Sequence, residues 1–172
     1  MEKSFLELAT ERFSVRGFSG RPVEDSKIEK ILQAAKVAPT AVNYQPQKLY
    51  VIRSAEAMSM LTALRPMFGA PLAVIVCYDE NISWKNSRDG AHDSGEVDAA
   101  IVTTHMMLEA WELGVGSCWI GAFSPAEVSE KFGIPASEHP VAILLLGYAA
   151  DGCQPSERHL KYRETDEFVK TL

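Results

Sequence analysis

The chain has 172 residues, of which 47% are hydrophobic and 23% charged, so it can bury the core of one domain. Its 17 lysines and arginines are outnumbered by 23 aspartates and glutamates, giving a net charge of -6. This acidic balance creates no field that would attract nucleic acid or an anionic membrane, so we expect neither as a partner. Any anion that the protein binds must be held by a local group of cations.

The N-terminal run MEKSFLELATERF carries acidic residues and lacks the apolar core of a signal peptide. No later run reaches the roughly 18 uncharged apolar residues that span a bilayer. The three cysteines, Cys77, Cys118 and Cys153, are widely spaced and odd in number, which is typical of reduced structural thiols. These features predict a cytoplasmic protein.

The N-terminal part of the chain predicts two helices. The first covers about residues 4–11, and the second lies in KIEKILQAAKVA, where Asp25 or Ser26 can cap its start. Pro39 ends the second helix, because proline removes a backbone donor and clashes with the preceding turn.

Farther along, strands and helices alternate. Strands are predicted over 48–54, 71–79, 117–123 and 139–149, with a helix over 56–64 and another that begins at the sequence SPAE. The strand at 71–79 is apolar on both faces, which is typical of a central strand covered by helices. The order of elements predicts a layered α/β arrangement.

Residues 81–95, NISWKNSRDGAHDSG, are polar and rich in turn-forming residues, and their length is typical of a functional loop. This loop is the best candidate for a lid that faces a substrate. Its Trp84, Lys85 and Arg88 are the side chains that we expect to meet that substrate.

The longest helical pattern covers residues 96–113 and is apolar over most of its circumference. Its main apolar stripe contains Val97, Ile101, Thr104, Leu108 and Trp111, broadened by Ala100, Met107 and Ala110. Such a helix must be covered on several sides, and a chain of this length has few elements to cover it. A second subunit is therefore expected.

The tail, residues 151–172, is polar, basic in its middle and then acidic, with no helical stripe before DEFVKTL. No repeat, low-complexity segment or linker divides the chain. We therefore expect a single domain over 1–172, whose tail either hangs free or wraps around a partner.

The stretch Arg12-Phe13-Ser14-Val15-Arg16 alternates in character. If it is extended, Arg12, Ser14 and Arg16 lie on one face, and Phe13 and Val15 on the other. The first face is cationic and the second can be buried. The pattern fits either an edge segment whose arginines simply face solvent or an anion site.

The sequence offers few groups for catalysis by side chains. The four histidines, His92, His105, His139 and His159, lack the spacing of a metal site. There is no nucleophile elbow, phosphate-binding loop or dinucleotide fingerprint. Cationic stretches without a catalytic dyad suggest that a cofactor supplies the chemistry.

A second basic stretch supports that interpretation. Lys161-Tyr162-Arg163 repeats the alternating spacing of residues 12–16, and Arg158 lies just before it. The two strips come from opposite ends of the chain and could converge on one phosphate.

Four ordered motifs in this chain resemble those of the FMN-dependent nitroreductases in their short form. Arg12 to Phe18 is similar to the family's R-x-S-[IVT]-[RK]-x-[FY] opening, and Ala38 to Pro46 to its A-P-[ST]-[AS]-x-N-x-Q-P segment. The run 98–123 resembles the family's central dimer helix and the turn that approaches the flavin. Lys161 and Arg163 resemble its closing phosphate contact.

The resemblance implies an α+β fold with α/β/α layers, a nitroreductase-like fold in which helices flank a mostly antiparallel central sheet. It also implies an intertwined homodimer in which each of two identical FMN sites is built from both chains. The tail 151–172 would reach across that dimer. This expectation agrees with the excess of apolar surface on the predicted helix 96–113.

The same resemblance implies roles for the basic residues. Arg12, Lys161 and Arg163 would hold the FMN phosphate through charge-assisted hydrogen bonds. Ser14 would hydrogen-bond near the ribityl chain or pyrimidine, with Phe13 anchoring the strip in the core. Arg16 would lie near flavin N1 and O2, where a cation stabilises the anionic reduced flavin.

Two further segments are implied to line the isoalloxazine ring. Pro39, Thr40 and Ala41 would pack beside it, and Asn43 would bond from its side chain to the other subunit's flavin. On the opposite side the lining residues would be Ile120, Gly121 and Ala122. Gly121 would supply a backbone N–H where the absence of a Cβ allows close approach.

The implied activity is a ping-pong reaction: NADH or NADPH gives hydride to flavin N5 and leaves, and a nitroaromatic, quinone or similar acceptor then enters the same pocket. No metal and no side-chain acid or base is needed. Three alternatives stay open: a flavin store or redox sensor with little turnover, a reductive dehalogenase or flavin oxidase of the same fold, and an α/β scaffold without a ligand.

Overall fold

The fold is that of a computed structural model, which describes residues 4–88, 90 and 92–172. Met1 to Lys3 of the predicted N-terminal run, and Asp89 and Ala91 of the predicted loop 81–95, lie outside the described residues.

The helices and strands follow the predicted order. The helices are α1 Phe5–Glu11, α2 Asp25–Val37, α3 Ala55–Leu64, α4 Gly95–Glu112, α5 Pro125–Phe132 and α6 Thr165–Phe168. The strands are β1 Gln47–Ile52, β2 Leu72–Asp79, β3 Gly116–Ile120 and β4 Glu138–Gly147.

Hydroxyl side chains begin several of these helices. Ser4 accepts from Glu7 N–H at the start of α1, and Ser54 and Ser124 cap α3 and α5 in the same way. The predicted cap of α2 is wrong, because Asp25 is already its first residue and Glu24 precedes it without a side-chain cap.

The four strands form one sheet in the order β1-β2-β4-β3, and every neighbouring pair is antiparallel. The two most apolar strands, β2 and β4, are central, as the sequence predicts for the first of them. A register shift between Val76 and Cys77 lies opposite the part of β4 that contains Pro140. A bulge tolerates a proline there, because proline cannot donate to the ladder.

Side chains of the central strands alternate between two cores. On one face, Ala73, Ile75 and Cys77 pack with residues of α3 and α5 such as Leu61 and Val128. On the other face, β2 and β4 pack against α2 and α4; the buried residues of this second core include Leu72, Val74, Val76, Ala142, Leu144, Leu146, Ile31, Ala35, Val102 and Met106. The predicted α/β/α layering is therefore confirmed.

The face of α4 that enters the core differs from the main predicted stripe, although it includes Ala110 from the residues that broaden that stripe. The core face contains Asp98, Ala99, Val102, Thr103, Met106 and Ala110. On the predicted stripe, Val97 is 52% exposed and Leu108 and Trp111 are half-buried. Both faces are apolar, so the helical period does not identify the inner one; the inner face has alanines, which allow close packing against the sheet and α2.

No helix among the described residues is both long and apolar enough to cross a membrane.

Candidate functional site

The basic strip at residues 12–16 is extended, as its alternation predicts. Helix α1 ends at Glu11, and Arg12 follows it with an extended backbone. Ser14 then forms a parallel bridge to Ser117 of β3, with Val15 N–H donating to Ser117 O at 2.9 Å. Val15 is fully buried, and the Phe13 ring lies edge-on to Trp111, with 5.3 Å between ring centroids. The strip is thus fixed to the edge strand through its apolar face.

The polar face of this strip lines a cavity of about 170 Å³. The cavity is bounded by Arg12, Phe13, Ser14, Arg16, Ser156, Arg158 and His159. The tail therefore does approach the N-terminal strip within one chain, and Arg158 supplies a third guanidinium. His159, whose ring also lies 6.2 Å from that of Phe13, has no counterpart in the sequence-based prediction.

Lys161 and Arg163 do not line this cavity. Both are exposed, and Arg163 lies 3.5 Å from a Glu167 carboxylate oxygen and over the ring of Phe168. Within one chain the tail thus turns Arg158 rather than Lys161 towards Arg12. The assignment of Lys161 and Arg163 to the FMN phosphate stays a prediction.

The predicted ring-lining turn lies at the end of β3. Ile120 is 5% exposed, whereas Gly121 and Ala122 are exposed. A Cβ placed on Gly121 would meet no described atom within 4 Å, so the space in front of this turn is open. The Ala122 carbonyl accepts a hydrogen bond of 2.6 Å from Arg65 Nη1, which fixes the turn to the end of α3.

Arg65 is a residue of this region that sequence reasoning missed. Its Nε is buried without a hydrogen-bond partner, and so is the hydroxyl of Ser117 beside the basic strip. Burial raises the pKa of the Cys118 thiol, and the guanidinium groups of Arg16 and Arg65 oppose that rise without cancelling it. Both cations therefore act on the same part of β3. The only signal in the sequence was an arginine after an apolar helix, which has no specific meaning.

The predicted ring-packing segment forms a strained loop after α2. Thr40 is extended and leads into a short 3-10 turn, Ala41–Asn43. Val42, Asn43 and Gln45 have φ values of 55°, 57° and 53°, a region that side chains other than glycine rarely adopt. Pro39 and Asn43 are exposed, as contact with a ligand outside the chain requires.

The basic strip and this loop lie at opposite ends of α4. The strip meets the C-terminal end, where Phe13 contacts Trp111, whereas the loop meets the N-terminal end, where Ala41 N–H donates to Asp98. At a rise of about 1.5 Å per residue, these two contacts are about 20 Å apart along the helix. One chain therefore does not bring its own strip and its own loop to the same part of a flavin.

The predicted substrate loop also begins and ends near the N-terminal end of α4. Lys85 pairs with Asp93 at 2.6 Å and Trp84 lies edge-on to His92, while Arg88 is exposed. Burial raises the pKa of Asp93, but hydrogen bonds from Lys85, Gly95 N–H and Ser83 outweigh it and leave the pKa lowered. Lys85 thus has a structural partner, and the contact of Trp84, Lys85 and Arg88 with a substrate stays a prediction.

An α/β/α fold with these motifs defines a class of oxidoreductase. The family model described as the Nitroreductase family matches residues 9–67 and 56–148. The chain therefore belongs to the nitroreductase family, and it is an oxidoreductase.

Known relatives agree with this assignment. A nitroreductase family protein of Clostridium difficile 630 has a solved structure with a TM-score of 0.92 and 40% identity, over 99% of this chain and 100% of that one. A relative from Archaeoglobus fulgidus, provisionally named an NADH dehydrogenase/NAD(P)H nitroreductase, is 32% identical over 154 residues, 85% of this chain and 86% of its own. The FMN reductase [NAD(P)H] of Bacillus subtilis is 27% identical over 161 residues, 83% of this chain and 64% of its own.

Proposed function

We propose that the protein is a homodimeric, FMN-dependent NAD(P)H oxidoreductase whose two active sites are each completed by both chains. The observation that carries this proposal is the separation of the two motif regions by about 20 Å along α4. Two copies with their α4 helices packed antiparallel would place the strip of one beside the loop of the other. The names of the Bacillus subtilis and Archaeoglobus fulgidus relatives support FMN and NAD(P)H as the redox partners.

A surface for the second copy is present beside α4. A groove of about 600 Å³ runs between α1, α2 and α4, with Leu8, Ala34 and Leu108 among its lining residues. Phe5 and Val37 on its rim are 69% and 66% exposed. Apolar surface of this kind is typical of a subunit interface. It is also the outer side of the helix that the sequence predicts to need a partner.

The residues around the basic strip fit FMN. Arg12, Arg158 and Ser14 would bind its phosphate and ribityl hydroxyls, and the unpartnered Ser117 hydroxyl lies behind them. Lys161 and Arg163 would join the phosphate if the tail rearranges across the dimer. Arg16 and Arg65 would hold positive charge beside the ring and so favour its reduced, anionic form.

The open turn Ile120, Gly121 and Ala122 would line one side of the ring, with the Gly121 N–H as a donor. From the other subunit, Pro39, Thr40, Ala41 and Asn43 would cover the ring and exclude water. When bound, FMN supplies hydride chemistry towards NAD(P)H and an electrophilic acceptor such as a nitroaromatic or quinone. Burial raises the pKa of Cys77 to about 12 and raises that of Cys118 as well, so neither of these buried thiols contributes a nucleophile near it.

An absorbance spectrum of the purified protein tests this proposal, followed by anaerobic titration with NADH and with NADPH. We expect an oxidised flavin spectrum that either nicotinamide bleaches and a nitroaromatic or quinone restores. A protein that is colourless after incubation with FMN and desalting would contradict the proposal. Tight FMN with reduction too slow for turnover would instead favour a flavin store or redox sensor.

The loop at residues 81–95 is proposed to select the acceptor. Trp84→Ala and Arg88→Ala should change the ratio of kcat/KM between a nitroaromatic and a quinone by about threefold to tenfold, while FMN stays bound. Lys131→Ala, on the exposed side of α5, is the matched control. If both loop variants keep the wild-type ratio, the loop is not a substrate lid.

A further inference from the structure

The carboxylate of Asp98 is almost completely withdrawn from solvent, at 2% exposure, in the first turns of α4. One oxygen accepts the Ser94 hydroxyl at 2.8 Å, and the other accepts the Ala41 N–H at 2.8 Å. Buried carboxylates are rare unless hydrogen-bonded, and both oxygens of this one have a donor. The second of these bonds crosses from α4 to the loop after α2.

The loop that Asp98 contacts is held mostly by bonds within itself. Asn43 N–H donates to Thr40 O, Tyr44 N–H to Ala41 O, and Gln45 N–H to the Thr40 hydroxyl. Among the described residues, the bond from Ala41 to Asp98 is the only hydrogen bond from residues 40–45 to another part of the chain.

This loop stores backbone strain. Val42 is β-branched and has a φ of 55°, and Asn43 and Gln45 also have positive φ values. Such conformations each cost about 1–3 kcal/mol and persist only where the surroundings impose them. A charge-assisted hydrogen bond, stronger than a neutral one, is suited to impose the conformation at Ala41, directly before Val42.

The start of α4 is itself fixed in place. A Cβ on Gly95 would lie 2.0 Å from the ring of Tyr78, so only glycine lets the helix start approach β2 so closely. Gly95 N–H also donates to Asp93. Asp98 therefore projects from a rigid support at the start of α4.

We infer that Asp98 is a positioning residue, which holds the 40–45 loop in the strained shape that presents Pro39, Thr40 and Asn43 to the flavin of the partner subunit. The inference rests on the proposed function for its ligand, but the hold of Asp98 on the loop is a property of the chain itself. No group of Asp98 touches the cofactor, and its effect passes through Ala41.

The test is amide hydrogen exchange by NMR on the full-length protein, with and without FMN, together with FMN titration by fluorescence. In Asp98→Ala, the amides of Ala41 and Asn43 should exchange at least about tenfold faster, and the Kd for FMN should rise about tenfold. Asp98→Asn should restore both to within about threefold, because its oxygen can still accept from Ala41 while its amide donates to Ser94.

Thr103→Val is the matched control. Thr103 is fully buried on the same face of α4, and its hydroxyl bonds only within the helix, to Ala99 O at 2.7 Å. It should leave loop exchange and the Kd for FMN within about twofold of wild type.

If Asp98→Ala does not fold, Ala41→Pro tests the same bond from its other side. Thr40 already has the extended backbone that precedes proline, and Ala41 is the first residue of the 3-10 turn. This variant should also speed Asn43 exchange.

Unchanged loop exchange in Asp98→Ala or Ala41→Pro would overturn the inference. Faster exchange with an unchanged Kd for FMN would also overturn it, since the loop would then not act on the flavin. A wild-type protein that binds no FMN would refute the proposed function, while the exchange rates would still decide whether Asp98 holds the loop.

Discussion

The two ends of α4 are held in different ways. At the C-terminal end, Lys27 Nζ donates to both Leu113 O and the Tyr148 hydroxyl, Tyr148 donates to Glu24, and Arg21 stacks on the Tyr148 ring. At the N-terminal end, the single bond from Ala41 to Asp98 connects the 40–45 loop with the rest of the described chain.

The difference indicates what each end does. Several overlapping contacts fix the region that carries the cationic strip, so losing one of them should change the strip little. A strained loop with one anchor has a shape that depends on that anchor and on whatever packs against its exposed side. In the proposed dimer, that exposed side meets the flavin whose phosphate the other chain's strip binds.

The largest expected effect comes from preventing dimerisation, which would keep the basic strip of one chain away from the 40–45 loop of the other. Leu108→Glu places a charge in the groove beside α4, which Glu109 and Glu112 already line. Burying a third carboxylate beside Glu109 and Glu112 at a subunit interface is costly even with Lys30 in the groove, so we expect a monomer that retains no FMN, measured by sedimentation and by absorbance. Ala63→Glu, at an exposed position of α3 that does not line this groove, should stay dimeric and keep the yellow colour of bound FMN. A dimeric Leu108→Glu protein with full flavin would contradict the proposed arrangement.

The next largest effect concerns the phosphate. Arg12→Ala removes a guanidinium from the cavity and should weaken FMN binding by about tenfold to a hundredfold, measured by fluorescence titration. Arg53→Ala is the control, because it removes an exposed arginine that directly follows β1 and pairs with Asp25. It should leave the Kd for FMN unchanged. Equal losses in both variants would mean that only overall charge matters.

A smaller effect is expected at the ring. Arg16→Ala should lower the midpoint potential of the bound flavin by about 30 mV or more, since a tenfold preference for the reduced form corresponds to about 30 mV in a two-electron couple. Its Kd for oxidised FMN should change less than that of Arg12→Ala. If both variants weaken retention equally and neither shifts the potential, the two arginines do not divide these roles.

The smallest effect is expected at the C-terminal end of α4, where several overlapping contacts hold the structure and the loss of one should matter little. The hydrogen bond from Tyr148, together with backbone bonding and Arg21, lowers the pKa of Glu24 from 4.5 to about 2. A carboxylate whose pKa is lowered in the folded protein stabilises the fold at any pH above its pKa in the unfolded chain. That stabilisation is lost as the pH falls from 4.5 towards 2. Because solvent screens this exposed carboxylate, Tyr148→Phe should lower the Tm by only about 1–2 °C at pH 7, and the difference should shrink below pH 4.

The exposed Tyr162 provides the control for this substitution. Tyr162→Phe should not change the Tm at either pH. FMN affinity in Tyr148→Phe should stay within about twofold of wild type; a large loss would show that this end is not redundantly held.

Much of the fold was predictable because it follows from local geometry. If residues 12–16 are extended, their alternation places Val15 on the face that can be buried, and the structure buries Val15 completely. The two-faced apolar pattern of 71–79 predicts a central strand, and β2 is central. In each case the backbone repeat itself decides which side chains share a face.

The candidate site was predictable only in part. The motif regions are visible in the sequence, but Arg65, His159 and Asp98 were not recognised, because their significance lies in contacts with residues far away in the chain. The inner face of α4 was not identified for a related reason: both faces are apolar, and only the sheet and α2 decide which of them is covered.

The sequence by itself determined the order of the elements, the burial pattern of the strip and the presence of surplus apolar surface on α4, since these depend on residues close together in the chain. Tertiary structure alone decided that the strip and the loop lie at opposite ends of α4 and that Asp98 meets Ala41. The reason is physical: such contacts arise where separate elements pack, and their distances are set by how the layers cover one another.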